Sequence, residues 1–266
     1  MSLSWRDHLL AELAPHALRL RRLKPRWRGG RQLAEASLSC PADGTGTGDP
    51  QWTPVLATLG TALADRSWDG ARATVVLSNH FVHYLTIPWD EQLVTAEEQL
   101  AMVRHAFAQA YGSAADGWSL RWNTAPLPAP CLASAIDSAL LEALRAVFGS
   151  AAIPLASIQP QLMATFNAHR EALPDKDDYW FLDQESGRLC LVRVHADAPH
   201  ALYSQRVGDD WLAELPAVLE RGRLLGGADS APGRVYLHQT IACEVAAEPA
   251  PGWSLHPLGA ARTATY

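Results

Sequence analysis

The chain has 266 residues, of which 48% are hydrophobic, and it carries a formal net charge of −6 at pH 7. This length allows one large domain or two ordinary ones, with enough apolar residues for a buried core. The acidic balance excludes a general attraction to nucleic acid, so we expect no nucleic-acid partner. No apolar run approaches the ~20 residues of a membrane-spanning helix, and the first residues lack a signal-peptide pattern, so we expect a cytoplasmic location.

The first predicted elements are two strands and a helix. Leu and Arg alternate over 17–23, which predicts a half-buried strand, and 31–40 is predicted to run back beside it. The Gly- and Thr-rich stretch 41–50 resembles a phosphate loop, but it lacks the flanking strand, helix and lysine that such loops need. We interpret it as a plain loop, and predict a helix after Pro54.

Two more strands and the clearest helix follow. The stretches 71–78 and 81–87 are β-branched and aromatic, and the two residues between them suggest a hairpin. Thr95 and Glu98 have the spacing of a capping box, and apolar residues then recur at helical spacing until Gly112. These signals predict a helix that begins after Thr95 and ends at the glycine.

The next stretch alternates between strands and helices. Strands are predicted at 118–123 and 131–136, and Asp137 has the position of an N-cap for a helix with an apolar side. A short strand is predicted at 153–158, and Pro160 can open another helix because proline is tolerated in a first turn.

A polar stretch at 173–178 marks the predicted boundary between two lobes. Residues 1–174 would form the first lobe, with a crossing helix at about 160–173, and residues 175–266 the second, smaller lobe. The second lobe is predicted to contain, in order, three strands, one helix and two closing strands: YWFLDQ, GRLCLVRVH, HALYSQRVG, 209–225, RVYLH and WSLHP.

Residue patterns typical of catalytic and metal sites are absent from the sequence. The four cysteines form no Cys-x-x-Cys pair, and neither Gly-x-Ser-x-Gly nor His-Glu-x-x-His occurs. His80 and His83 would point to opposite faces of a strand, and the aspartates of 175–178 are more typical of a solvated linker than of a Mg²⁺ site. We therefore expect no catalytic residue and no metal site.

Three stretches resemble the PilM/GspL group of actin-like (ribonuclease H-like) proteins, which assemble type IV pili and type II secretion systems. They are 73–112, 132–170 and 179–195, and their strands and helices follow the order found in that group. The resemblance covers most of the chain. It implies an α/β chain with the two-lobed actin-like ATPase fold, built from mixed sheets with flanking helices.

The nucleotide motifs of the resembled group are altered in this sequence. Ala14, Pro15 and His16 occupy the first phosphate turn, where an acid and a glycine are expected, and proline has no N–H to offer a phosphate. The residues 238–240, His-Gln-Thr, replace the late Gly-Gly that allows adenosine to approach.

The second phosphate turn keeps one residue of the pattern. Asp183 is present, but Gln184 and Glu185 follow it where glycine and a small residue are expected, and Glu185 would repel a phosphate. Asp183 is therefore the one candidate cofactor-binding residue. We expect no cofactor, and the alternative is an ATPase in which Asp183 reaches Mg²⁺ through water.

The resemblance implies a scaffold rather than an enzyme. In that group, the partner is the cytoplasmic tail of an inner-membrane assembly protein, held in a groove on the first lobe, and binding of this kind needs no catalytic residues. Two alternatives stay open: an actin-like ATPase with divergent phosphate loops, and an unrelated α/β binding module or enzyme. The sequence indicates no particular oligomeric state.

A basic hairpin is the remaining feature. Seven positive charges and no acid lie between residues 19 and 31. One interpretation is a solvated edge strand that its charge protects from aggregation. The other is a surface for an acidic partner or for the anionic inner membrane, which predicts peripheral association of a cytoplasmic protein. The candidate residues of this surface are Arg19, Arg21, Arg26, Trp27 and Arg28.

Overall fold

The computed structural model of the chain describes residues 7–24, 31–41, 50–88, 95–123, 130–196, 198–226, 231–240 and 245–259. The strands in these ranges are β1 (His8–Ala14), β2 (Ala17–Lys24), β3 (Arg31–Ser39), β4 (Arg72–Leu77), β5 (Val82–Ile87), β6 (Trp118–Trp122), β7 (Cys131–Asp137), β8 (Leu155–Pro160), β9 (Tyr179–Glu185), β10 (Arg188–His195), β11 (Ala198–Arg206), β12 (Arg234–Gln239) and β13 (Ser254–Pro257). The helices are α1 (Thr53–Ala62), α2 (Ala96–Tyr111), α3 (Ser138–Ser150), α4 (Gln161–Ala168) and α5 (Trp211–Leu225). No helix among the described residues is long and apolar enough to cross a membrane.

The contacts within the chain define two compact units. The first contains the described residues of 1–82 and 136–168, and the second contains those of 83–135 and 169–261. The sequence predicts a single boundary after residue 174, and this division differs from it by assigning 83–135 to the second unit. Residues of 83–135 have a sheet and an apolar core of their own, which explains why they separate from the sheet before them.

The first unit is built on a mixed five-stranded sheet with the order β3-β2-β1-β4-β8. β1 is antiparallel to β2 and parallel to β4, and β4 is parallel to β8. β1 lies at the centre of the sheet, and its residues Leu9, Leu10 and Ala11 are buried in succession. Both faces of this strand are therefore covered, as is usual for a strand at the centre of a mixed sheet.

The predicted hairpin of 71–78 and 81–87 is wrong. β4 pairs with β1 and β8, whereas β5 belongs to a separate sheet with the order β5-β7-β6. A short 3-10 turn at Asn79–Phe81 separates the two strands. Asn79 is buried, and its Oδ1 accepts a hydrogen bond of 3.1 Å from the Leu162 N–H at the start of α4. The Asn79 side chain thus provides an acceptor for an N–H at the start of α4 that has no partner within its own helix. The segment does not form a hairpin turn.

The helix predicted from the capping box is confirmed. The Thr95 side chain accepts from the Glu98 N–H at 3.2 Å, and the Glu98 carboxylate accepts from the Thr95 N–H at 2.9 Å. α2 ends at Gly112, whose φ of 66° lies in the left-handed region that favours glycine. The helix buries Val103 and Phe107 against the β5-β7-β6 sheet.

A second five-stranded sheet, in the second unit, repeats the arrangement of the first. Its order is β11-β10-β9-β12-β13, with β9 antiparallel to β10 and parallel to β12. α5 packs on one face, where side chains of every second residue of β9 and β10 meet the helix. The core on this face contains Trp180, Leu182, Leu189, Leu191, Trp211, Leu215, Val218, Leu219, Val235, Leu237, Trp253 and Leu255.

Candidate functional site

A row of polar side chains crosses the second sheet on the face away from α5. Ser204 of β11 is opposite Cys190 of β10, Cys190 is opposite Asp183 of β9, and Asp183 is opposite His238 of β12. Residues directly opposite each other in neighbouring strands point to the same face, so the four side chains lie side by side. This row contains Asp183, the one candidate cofactor-binding residue of the sequence.

Asp183 is fully buried, with 0% of its surface exposed. Its Oδ1 lies 2.7 Å from Nδ1 of His238, whose side chain is 18% exposed. A carboxylate at this depth requires hydrogen-bonding partners because its desolvation is costly. The imidazole of His238 is such a partner, so the residue that replaces the expected glycine also contacts the carboxylate of the second phosphate turn.

A second histidine lies beside this pair. The His169 ring centroid is 5.4 Å from that of His238, and His169 itself is buried. Its Nε2 has no hydrogen-bond partner among the described residues. Burial lowers the pKa of His169, and His238 lowers it further, while Asp183 acts in the opposite direction. The ring is therefore held neutral at pH 7.

The depressed pKa of His169 predicts a pH dependence of stability. The pKa values of His8, His83 and His200 are lowered as well, and burial is the largest cause for each of them. The unfolded chain then binds more protons than the folded chain once the pH falls below about 7, near the ordinary histidine pKa of about 6.5. We expect the free energy of unfolding, measured with urea, to fall from pH 7.5 to 5.5, and to fall less steeply in His169→Gln. An unchanged slope in that variant would contradict a contribution from His169.

The two turns that would contact phosphates are short. β1 and β2 are joined by Pro15 and His16 alone, with Ala14 paired directly to Ala17. β9 and β10 are joined by Ser186 and Gly187. Such tight connections present few backbone N–H groups, and Pro15 has none, so neither turn forms the concave N–H cradle that phosphate binding uses.

The end of β12 is bonded to the end of β9. The N–H and the hydroxyl of Thr240 both donate to the Gln184 carbonyl, each at 3.0 Å. These bonds continue the parallel pairing of the two strands past His238, where the resembled group has its glycine pair. The N–H and hydroxyl of Thr240 are therefore already bonded to the backbone of β9 and are not available to a nucleotide.

Both nucleophiles of the polar row, Cys190 and Ser204, are hydrogen-bonded, and Cys190 is buried. Burial raises the pKa of the Cys190 thiol, so the reactive thiolate is disfavoured. The Cys190 thiol donates to Ser204 Oγ at 3.3 Å, and Arg188 Nη1 donates to the same oxygen at 2.9 Å. No group of His, Cys, Asp or Glu within the described ranges is arranged to hold a metal ion.

The basic hairpin is partly neutralised in its described portion. Arg19 contacts Glu35 at 2.7 Å, and Arg21 contacts Glu12 at 2.9 Å. Arg22 likewise contacts Asp7 at 2.7 Å. The three carboxylates belong to β1, to β3 and to the residue before β1. The sequence of 17–31 alone does not reveal these ion pairs, because their acidic partners lie outside it. The other candidates for this surface, Arg26, Trp27 and Arg28, lie outside the described residues.

Comparison with known proteins identifies the fold. No protein-family model and no curated protein matches the sequence. The cytoplasmic domain of EpsL, an inner membrane component of the type II secretion system of Vibrio cholerae, has a TM-score of 0.62 at 11% identity, over 95% of this chain and 90% of that one. The PilM-PilN type IV pilus biogenesis complex has a TM-score of 0.66 at 16% identity, over 94% of this chain and 88% of that one.

The chain has the actin-like fold. A Bacteroides thetaiotaomicron protein with an actin-like ATPase fold and unknown function matches as well, with a TM-score of 0.55 at 11% identity over 90% of this chain and 84% of that one. The predicted fold class is thereby confirmed, as is the resemblance in fold to the PilM/GspL group. Identities this low show the fold alone, so the function must be argued from the residues of this chain.

Sequence reasoning identified Asp183 in this actin-like fold but not the residues around it. His238 was recognised only as a departure from the glycine pair, and nothing in the sequence indicated that its ring would contact Asp183. His169, Cys190 and Ser204 gave no signal, because none of them belongs to a sequence motif typical of a site. Only the pairing of four strands brings Asp183, His238, Cys190 and Ser204 into one row.

Proposed function

We propose that the chain is a non-catalytic cytoplasmic scaffold of a type IV pilus or type II secretion-like assembly, which binds the cytoplasmic tail of an inner-membrane partner. One observation carries the proposal. Asp183, which an ATPase of this fold would need for Mg²⁺, is fully buried and bonded to His238. The likeness to EpsL and to the PilM-PilN complex supports the assembly context, since both belong to such systems.

Nucleotide binding separates this proposal from the ATPase alternative. We expect no heat of binding and no rise in melting temperature with millimolar ATP and Mg²⁺, because the phosphate turns lack a cradle of N–H groups. The measurement is calorimetric titration together with thermal shift. Saturable binding to the wild type that Asp183→Asn abolishes would contradict the scaffold and favour the ATPase.

Tail binding is the positive test. The probe is a synthetic peptide of the cytoplasmic tail of the source organism's PilN-like protein, with a scrambled peptide of equal composition as control. We expect saturable binding of the first peptide alone, by fluorescence anisotropy. Equal binding of both peptides, or of neither, would contradict the proposed partner class.

Peripheral contact with the inner membrane is part of the proposal. Arg19 and Arg21 are already paired with carboxylates, so the membrane-facing charge would come from Arg26 and Arg28. We expect sedimentation with vesicles that contain anionic lipid to decrease in Arg26→Glu/Arg28→Glu, and to be unaffected in Arg121→Glu. Equal sedimentation of the wild type and the double variant would rule out the membrane contact.

A further inference from the structure

One edge of the first sheet is exposed along almost its whole length. β3 is the outermost strand in the order β3-β2-β1-β4-β8, and β2 is its only neighbour among the strands that the structure describes. All residues of β3 are exposed except Ala34 and Ala36, which are half-buried. Leu33 is 44% exposed and Leu38 is 38% exposed. Such an edge is a template for another strand, and proteins commonly protect it with charge, proline or a bulge.

The protection of this edge is confined to its beginning. The register of β3 against β2 shifts by one residue at Leu33, which marks a β-bulge, and Arg31 adds an exposed positive charge before it. After the bulge, the stretch 34–39 contains one charged residue, Glu35, and the Arg19 guanidinium already contacts its carboxylate at 2.7 Å. The second half of β3 therefore has no bulge, no proline and no uncompensated charge.

The backbone groups that point to the open edge belong to Glu35, Ser37 and Ser39. The Cys40 N–H donates to the His16 carbonyl at 2.9 Å, so Cys40 directs its backbone groups towards the hairpin of β1 and β2. In an antiparallel ladder this direction alternates from one residue to the next. The N–H and C=O groups of Glu35, Ser37 and Ser39 consequently point away from β2, where a second strand can reach them.

We propose that this edge binds a second copy of the chain. In the dimer, the two β3 strands run antiparallel about a two-fold axis at Ser37, and the first sheet continues from one copy into the other. Ser37 is then opposite Ser37 of the second copy, and Glu35 is opposite its Ser39. All three residues exchange backbone hydrogen bonds in both directions, because each of them directs its N–H and C=O outward. This surface goes beyond the proposed function and does not depend on it.

Other registers satisfy fewer of these backbone groups. A two-fold axis one residue earlier places Ser39 opposite the bulge at Leu33, where the ladder is disrupted. An axis one residue later places Glu35 opposite Pro41, which has no N–H. An axis at Glu35 brings two carboxylates into directly opposed positions, which is destabilising. Of these registers, the one centred on Ser37 avoids every conflict.

The side chains on both faces also fit this register. On the face shared with the buried leucines of β2, Leu38 is opposite Ala36 of the second copy, so a large side chain meets a small one twice by symmetry. On the other face, two serine hydroxyls meet at the axis, and the Ser39 hydroxyl faces the Glu35 carboxylate. Pairs of these kinds stabilise antiparallel strands. The two Arg31 side chains lie at opposite ends of the paired stretch, so they do not repel each other.

The dimer is expected to be weak. One pair of strands buries less surface than the roughly 1,200–2,000 Å² of a stable interface. The net charge of −6 on each copy also opposes association at low ionic strength. We therefore expect a monomer–dimer equilibrium in the micromolar range.

The first test measures the mass of the full chain by sedimentation equilibrium over a concentration series at physiological ionic strength. We expect the mass to rise from that of one chain to that of two and no further, because a two-fold axis closes the assembly. A monomer at every concentration would overturn the proposal, as would growth beyond the dimer.

Charged variants test the position of the axis. Ser37→Lys places two ammonium groups directly opposite each other and should raise the dissociation constant at least about tenfold. An equimolar mixture with Ser37→Glu should restore the dimer, which a merely structural effect of the substitution does not predict. Ala146→Lys, an exposed change on α3 in the same unit, is the control and should associate like the wild type. Unchanged association of Ser37→Lys, or a mixture that stays monomeric, would refute this register.

A proline tests the backbone bonds. Because the Ser37 N–H points away from β2, Ser37→Pro removes an outward donor without breaking the pairing of β2 with β3. It should weaken the dimer and keep the circular dichroism spectrum of the wild type. In the wild type, amide hydrogen exchange at Ser37 should slow as the concentration rises. Protection of this amide by the tail peptide alone, in a chain that stays monomeric, would assign the edge to the tail and overturn its pairing with a second copy.

Discussion

Replacing Asp183 with Ala is expected to lower the free energy of unfolding by about 1–3 kcal/mol, the usual cost of leaving a buried polar group without its hydrogen-bonding partner. Asp183 is 0% exposed, and its carboxylate lies 2.7 Å from the imidazole of His238. Its removal leaves His238 without this acceptor and creates a cavity beside Cys190. Urea unfolding followed by circular dichroism measures the loss.

A double-mutant cycle assigns the effect to the pair. Asp183→Ala, His238→Ala and the double variant should show strong coupling, with the double variant costing less than the sum of the single ones. Asp183→Asn should cost less than Asp183→Ala, because an amide oxygen still accepts a hydrogen bond. Replacing a residue that is kept for function commonly makes the protein more stable. A neutral or stabilising Asp183→Ala would therefore contradict the structural role and point back to the ATPase.

Local signals in the sequence predicted the elements that depend on local chemistry. The Thr95 and Glu98 spacing predicted α2 because both capping bonds join residues three apart. Asp137 similarly caps α3 through a bond to the Ala139 N–H at 2.9 Å. The strands β9, β10 and β11 were predicted as three strands joined by tight turns, and each is present. In these cases, the determinants lie within a few residues of one another.

Features that depend on distant residues were missed. β1, with the sequence HLLAELA, is covered on both faces, so it lacks the alternation by which a half-buried strand is recognised. The hairpin of 71–87 was mispredicted because Asn79 bonds to Leu162, which is 83 residues further along the chain. Asp183 and His238 are 55 residues apart and meet only through the parallel register of β9 and β12. Periodicity contains no information about such register.

The candidate site is thus a product of topology rather than of a motif. Parallel pairing of β9 with β12 places His238 against Asp183, and antiparallel pairing of β10 with β11 places Arg188 against Arg206. The first pairing gives the buried carboxylate of Asp183 a hydrogen-bonding partner, which is why we propose a structural role for Asp183.

Phe107→Ala is expected to lower the free energy of unfolding by about 3–5 kcal/mol, the range for truncating a buried phenylalanine. Phe107 is 0% exposed, and it packs against two aromatic rings, with its ring centroid 5.9 Å from that of Tyr111 and 6.3 Å from that of Trp118. Removing the ring leaves a cavity beside both residues. Urea unfolding measures the loss, and Gln109→Ala, an exposed change on the same helix, should stay within about 0.5 kcal/mol of the wild type.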